Sequence, residues 1–564
     1  MPMHVGVNNN LLGTMITTTF HTPEIEIHHV RLLLNPLASL AIHPKLSEFM
    51  FATSSDCCCS LNKNSSSPIY AVDDEAAGIR SEMLIIEGLT DNPCAHPRYA
   101  DLCRRLNSIQ SLIRFVPPEL LSIIFQHACP FPYCVFAQNR EESRLFHLVL
   151  RSVSNHWYGI VQSTPELWNY VSFSLRWATE KSCEQYLKLC LDNSGGLPLT
   201  IDLGRRPEPT GSPACALSPA LENMIVRNSH RIRSLGLCYL PIQWVESVLP
   251  KMSQLSALDL RWWKWRDVDP NLSLQISSTN LHRLSIFGPS RRVGIELPAR
   301  SSITHLTFNR IPIDVCMGFL IECQNLVEFH SISPYFPVQD TFPTITQLPL
   351  VHKCLIKFTW HLLDSSRLFR WTFFLLKHIH VPALENLTWL NMGNSDHFLN
   401  ATSFFKRLPK SLKEINFTGM HGEVDNLTHT WLDHTRHDIS LNLLRVDGCT
   451  ESFLDKVFHI LFRKPTNSDE LILLFPQLTR CEILMRTEDE RKQKMSSKIG
   501  EDLVQLLEER TGLIDNFVFW TSGYDLDWNK QIWLQLKKIH DSSLSLIIGE
   551  SGNCVDISAK CNLP

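Results

Sequence analysis

Three adjacent cysteines, Cys57, Cys58 and Cys59, are the first residues that could bind a metal or react covalently. Neighbouring side chains diverge, and a tetrahedral zinc site needs converging ligands from further along the chain. His127, Cys129 and Cys134 supply ligand types at short spacing, but no second Cys-x-x-Cys pair follows them. A metal site is therefore not expected. The sequence Gly549-Glu550-Ser551-Gly552 is one residue short of the Gly-x-Ser-x-Gly turn that exposes a nucleophilic serine. The chain has no phosphate-binding loop ending in Gly-Lys-Ser/Thr and no His-Glu-x-x-His pair. His28 and His29 stand near the start without an ordered acid or base partner. These residues point away from an enzyme, and no cofactor is expected. One segment has the chemistry of a binding surface: Arg261, Trp262, Trp263 and Trp265 combine a guanidinium with large flat rings, the side chains that most often anchor interfaces. Two of the three tryptophans being core is the competing reading.

The composition agrees with a binder. The chain has 564 residues, 44% apolar and 20% charged, enough for two to four domains. A formal net charge of −4 gives no global basic field for nucleic acid or an anionic membrane. No run approaches the length of a membrane span, and the start lacks the basic-then-apolar pattern of a secretion signal. An intracellular location, cytoplasmic or nuclear, is expected. The 18 cysteines are scattered through apolar runs, as at Cys238, Cys316 and Cys354, which fits reduced and buried thiols.

Four segments follow. Residues 1–98 form a leader rich in Ser, Asn and Pro clusters, with no assigned role. Residues 99–175 read as small helices. Over 99–114, Leu102, Leu106, Ile109, Leu112 and Ile113 make a helical stripe. Pro117 and Pro118 then open a helix, where first-turn amides have no partner to lose, and Glu119 suits the helix dipole. Leu120, Leu121, Ile124 and Phe125 share one face of it. Phe146, Val149, Leu150 and Val153 recur at helical spacing in the next, and Trp157, Ile160 and Val161 in a third. Ser163 with Glu166 fits a capping box. So small a module has a marginal core, and its exposed Leu and Phe await a partner.

Residues 176–486 change texture, to short strand-like runs such as QLSALDL, NLHRLSI and SITHLTF. Their central apolar residues are Leu235, Leu258, Leu284, Leu306, Phe329, Phe358, Leu387, Ile415 and Leu444, spaced by 23, 26, 22, 23, 29, 29, 28 and 29. That period suits a leucine-rich repeat, since one strand cannot bury its apolar side alone but stacked units share a core. The markers should enter one core, and Asp259, Ser285, Thr307, Thr388 and Asn416 should alternate outward. An irregular α/β domain is the alternative. Residues 487–564 read as a C-terminal helix, marked by Leu503, Leu506 and Leu507, with a solvated charged run and a capping segment.

Residues 116–173 resemble an F-box, in the form common in mushroom-type fungi. The matching pieces are Val116-Pro117-Pro118-Glu119-Leu120-Leu121, Ile124-Phe125, Val153-Ser154 with Trp157, and Ser163-Thr164-Pro165-Glu166-Leu167-Trp168. The repeats are similar to the leucine-rich companion domain of such proteins. The long 130–144 loop, with Pro130, Pro132 and Cys134, departs from the pattern. The fold class expected is α plus α/β: a small helical F-box-like module followed by an irregular leucine-rich-repeat solenoid. The resemblance implies an adaptor that docks on a Skp-type protein, and through it on a cullin-RING ubiquitin ligase, while its repeats recruit a protein substrate. Pro117, Leu120, Leu121, Ile124 and Phe125 would be the first-helix contacts, with Val149, Val153 and Trp157 supporting them. Arg261, Trp262 and Trp265 would touch substrate. A repeat scaffold without ubiquitin coupling is the alternative.

Overall fold

The computed structural model describes most of residues 68–561; residues 1–67 and interior stretches including 130–145, 205–217, 262–271, 338–348, 392–401 and 420–438 are left out of the description. The chain divides into two units, at Ser163/Thr164.

The first unit is helical: α1 (Pro68–Leu89), α2 (Pro97–Gln110), α3 (Pro118–Ala128), α4 (Phe146–Val153) and α5 (Asn155–Gln162). Part of the leader is thus a regular helix. Ile79 and Ile86 of α1 pack on Leu102 of α2, with Met83, Tyr99, Leu106 and Ile109 around them. Leu112 and Ile113 lie outside the described residues. Pro118 occupies the first turn of α3, as its missing N–H allows. The cap of α5 is Ser154, whose hydroxyl accepts from the Trp157 N–H at 3.1 Å. The expected Ser163–Glu166 capping box does not form: Ser163 ends α5, and its hydroxyl donates instead to the Ile160 carbonyl.

The second unit is built on one 15-stranded sheet, among the described residues, in which the strands follow chain order. They are β1 (Tyr170–Ser174), β2 (Leu199–Gly204), β3 (Ile232–Cys238), β4 (Ala257–Arg261), β5 (Arg283–Phe287), β6 (His305–Asn309), β7 (Glu328–Ile332), β8 (Lys357–Leu362), β9 (Asn386–Asn391), β10 (Glu414–Thr418), β11 (Leu443–Cys449), β12 (Arg480–Arg486), β13 (Asn516–Ser522), β14 (Ser545–Glu550) and β15 (Asn553–Cys554). All neighbours pair in parallel except β14 and β15. A parallel neighbour needs a crossover, and many crossovers here are helical: α6 (Glu180–Asn193), α7 (Pro219–Arg227), α8 (Ile242–Val248), α9 (Ile313–Glu322), α10 (Ser366–His378), α11 (Thr402–Phe405), α12 (Glu451–Leu461), α13 (Ser497–Glu509) and α14 (Lys530–His540).

The nine markers form one row. Leu235, Leu258, Leu284, Leu306, Phe329, Phe358, Leu387, Ile415 and Leu444 are direct partners on successive strands, and all are buried. The row extends to Ile201 on one side, and to Cys481, Phe517 and Leu546 on the other. Three residues before each marker lies a second buried residue, as at Leu255, Leu281, Ile303, Leu326, Leu355, Leu384, Leu412 and Leu441. Strand entry repeats as well: the Ser256, His282, Thr304, Val327, Ile356, Glu385, Lys413 and Asn442 carbonyls each accept two consecutive N–H groups from the next turn of chain. At several strand exits the backbone turns left-handed, at Tyr239, Arg310, Ser333, Gly419 and Gly523. Such a periodic backbone is an α/β solenoid of stacked units.

Helices cover the apolar side of the sheet. Phe308 meets Phe319 of α9 at 5.2 Å between centroids, Trp389 meets Phe405 of α11, and Phe417 meets Phe453 of α12. The Trp360 indole N–H reaches Thr372 of α10 at 3.2 Å. The alternate residues Asp259, Ser285, Thr307, Thr388 and Asn416 lie in register on the opposite side, as the pleat requires. Two boundaries differ from expectation. Residues 170–174 are not part of the helical module but pair with β2, and residues 487–564 carry β13 to β15, which continue the same sheet.

Burial pushes His352 and His361 down to about 4, against an ordinary value near 6.5. Both are neutral in the folded chain at pH 7. Between pH 6.5 and 4 the unfolded chain binds protons that the folded chain refuses, so stability falls as pH falls through that window. Each histidine is expected to add about 1.4 kcal/mol per pH unit to that slope. Urea midpoints of the wild type and His361→Asn between pH 7.5 and 4.5 check this; carboxylates titrate in both, so the difference isolates the imidazole. Equal slopes refute it.

Candidate partner-docking surfaces

In the helical unit the apolar stripe of α3 splits into two sides. Leu121 and Phe125 face inward and are buried, and the Phe125 ring lies 4.7 Å from Trp157. Phe146 and Leu150 of α4 and Ile160 and Val161 of α5 are buried with them. Leu121, Phe125 and Trp157, expected among the contacts, are therefore already enclosed by this chain's own helices. Pro117 is exposed, and Ile124 and Val153 are half-buried. On α3 to α5 the exposed large apolar groups are Leu120 (50%), Ile123 (49%), Val149 and Tyr158, the last beneath the Arg151 guanidinium at 4.6 Å, and α1 exposes Leu84, Ile85 and Leu89 as well. Ile123 was not singled out by the sequence reading, although it stands three residues after Leu120 and so on the same helix face.

His127 is exposed, and burial pushes the Cys129 thiol up to about 11, so it is protonated at neutral pH. Cys134 and the Cys57–Cys59 run lie outside the described residues. Among the described residues no group of three or more His, Cys, Asp or Glu side chains could hold a metal ion. No described helix is long and apolar enough to cross a membrane.

In the sheet unit, Arg261 ends β4 and is engaged within the chain. It forks onto Asp259 at 3.1 and 2.7 Å and stacks on Phe287 at 4.9 Å. Trp262 and Trp265, with Trp263, lie outside the described residues. The side of the sheet opposite the helices carries a polar group at its middle: His305, Glu328, His330, Lys357 and Thr359. Lys357 Nζ sits 2.7 Å from Glu328, and His330 Nδ1 is 2.7 Å from the Thr359 hydroxyl. Burial lowers His305 and His330, so both are neutral near pH 7. Burial works to raise the Glu328 carboxyl, but Lys357 and the two histidines outweigh it and hold it below the usual range.

Further along, Glu482 of β12 lies between Arg445 of β11 and Arg480, and Asp447 takes the Arg486 guanidinium at 3.3 Å. Beyond them the same side turns apolar, with Leu484, Val518, Trp520 and Ile547. These side chains present hydrogen-bonding and apolar anchors, among them the Thr359 hydroxyl held by His330, whose Nε2 lies 3.9 Å from Glu328. No protein-family profile matches the chain, and no curated protein matches it significantly.

Proposed function

We propose that this chain is a substrate-recruiting adaptor of a Skp–cullin–F-box type ubiquitin ligase, with the helical unit as the F-box and the sheet unit as a leucine-rich-repeat receptor for a protein substrate. One observation supports it most. The helix opened by Val116-Pro117-Pro118-Glu119 has a buried inner side, Leu121 and Phe125, the latter on Trp157, yet leaves Leu120 and Ile123 about half exposed. Two large aliphatic side chains one helical turn apart are the anchors a helix presents to a groove. The repeats offer the second requirement, a long row of outward side chains on a rigid backbone.

The reaction itself would be supplied in trans. Holding a substrate beside a ubiquitin-loaded enzyme raises its effective concentration and fixes the geometry of attack. No residue of this chain acts as nucleophile or base in that scheme.

The test is affinity capture from a native extract, comparing the full chain with one lacking residues 116–163. The deletion must stop there, because Tyr170–Ser174 is the first strand of the sheet. Loss of a Skp-type adaptor and its cullin, with other partners retained, is the expected result. Absence of those subunits from both captures refutes the ubiquitin coupling and leaves a repeat scaffold.

A further inference from the structure

The side of the sheet opposite the helices changes character along the chain. At β11 and β12 the carboxylates lie low and the guanidiniums lie high. Glu482 and Asp447 have side chains only 11% and 17% exposed, whereas Arg445, Arg480 and Arg486 are 40%, 54% and 63% exposed. Three cations stand over two covered anions, so this patch presents positive charge to a ligand although its ion pairs are formed. The acids orient the guanidiniums, which stay partly in solvent, although the Arg445 Nε is itself buried.

Next to this patch is a flat apolar platform. Trp520 of β13 lies over Gly549, its partner on β14, so closely that a Cβ at residue 549 would stand 2.1 Å from the indole. Only glycine admits the ring there. The indole is held against the sheet instead of standing up from it. Val518 precedes it in the outward row, and Ile547, 40% exposed, is the partner of Val518. Strands are about 4.8 Å apart and residues along a strand about 3.3 Å, so by strand pairing Arg486, Arg445 and Arg480 lie about 8, about 12 and about 14 Å from Trp520. An extended chain covers these distances in about three to five residues.

We propose that the side of the sheet formed by β11 to β14 binds an extended acidic segment of a partner protein, its carboxylates on Arg445, Arg480 and Arg486 and a nearby apolar residue on Trp520. This rests on the reading of the sheet unit as a recruiting surface, and it names the class of segment recruited. Charge complementarity chooses the occupant: three exposed guanidiniums stand against two covered carboxylates, so the patch keeps a positive excess that a neutral or basic strand would not meet, whereas further carboxylates match the fork geometry. The indole and Ile547 add the apolar contact that a purely ionic patch lacks.

The probe is a library of short random peptides displayed on phage, selected on the purified full chain, with enriched sequences then synthesised and titrated. Enrichment of paired Asp or Glu a few residues from Leu, Ile, Phe or Trp is expected. Arg445→Glu with Arg480→Glu, and separately Trp520→Ala, should each weaken the selected peptides by about tenfold or more. Gly549→Ala should do so as well, by displacing the indole while leaving every charge in place. If the β11–β12 charge reversal unfolds the sheet, Arg486→Glu carries the same test from a position largely in solvent. No acidic enrichment, equal affinity in the folded variants, or tighter binding of a labelled single-stranded oligonucleotide each overturns the proposal. Capture of the Skp-type adaptor is read in parallel on the same variants. Peptide binding without adaptor capture defeats the ubiquitin coupling alone, and adaptor capture without acidic-peptide binding defeats this inference alone.

Discussion

Arg510→Leu is expected to cost the sheet unit about 3 kcal/mol of stability, because it strips the partner from two buried carbonyls. Arg510 follows α13 and is 1% exposed. Its Nε and Nη2 donate to the Leu461 carbonyl at 3.3 and 2.9 Å, and its Nη1 donates to the Phe475 carbonyl at 3.2 Å. Leu461 ends α12, where the helix leaves carbonyls unpaired and its dipole favours a cation. Phe475 is held in the left-handed region, φ 53°, where a side chain costs energy unless the surroundings fix it. One guanidinium therefore ties a helix end, a strained turn and a following helix together. Removing the cation also removes its desolvation cost, which is why the expected loss is nearer one unsatisfied pair than the sum of three bonds. Arg510→Lys should recover only part, since a single ammonium does not span both carbonyls as the forked guanidinium does. Urea unfolding measures this; a midpoint for the leucine variant within experimental scatter of the wild type refutes the clamp.

That arginine shows where sequence reading stops. It sits in a run of mixed charge, TEDERKQK through LEERTG, whose composition reads as a solvated helix surface. Whether an arginine lies on the surface or in the core depends on which distant carbonyls need a donor, and the helical period carries no trace of that. The repeat rows were legible for the opposite reason. Each strand exposes one side to a core shared with both neighbours, so its apolar residues must recur at fixed positions, and Leu258, Leu284 and Leu306 keep register across a whole sheet. The platform at Trp520 was not legible, because it depends on Gly549, a residue distant in sequence and adjacent only through strand pairing. The Arg261 segment reads as a binding surface in sequence, yet its guanidinium is spent on Asp259 and Phe287, contacts within its own strand and with the next one. In the helical unit the period located the stripe on α3 but not its division. Leu120 and Leu121 are adjacent in sequence yet 50% and 3% exposed, because Leu121 shares the inner side with Phe125, whose ring packs on Trp157.

The same division sets the second large effect. Leu120→Asp with Ile123→Asp should abolish capture of a Skp-type adaptor, weakening it by about 100-fold or more, while the helical unit stays folded. Both side chains are about half in water already, so the charges meet solvent in the free chain and meet a desolvating apolar surface only in the complex. Leu121→Asp with Phe125→Asp should also abolish capture, but through a different cause: two carboxylates would be forced into the buried core, one of them against Trp157. Hydrogen exchange across residues 118–162 separates the two. The surface pair should keep the protection of the wild type, and the core pair should lose it. Full capture by the folded surface variant moves docking off this face of α3, with the exposed Val149 of α4 the next candidate. Loss of capture with protection retained assigns the contact to Leu120 and Ile123 and not to the buried side of the stripe, since only those two positions change how the folded module meets its partner.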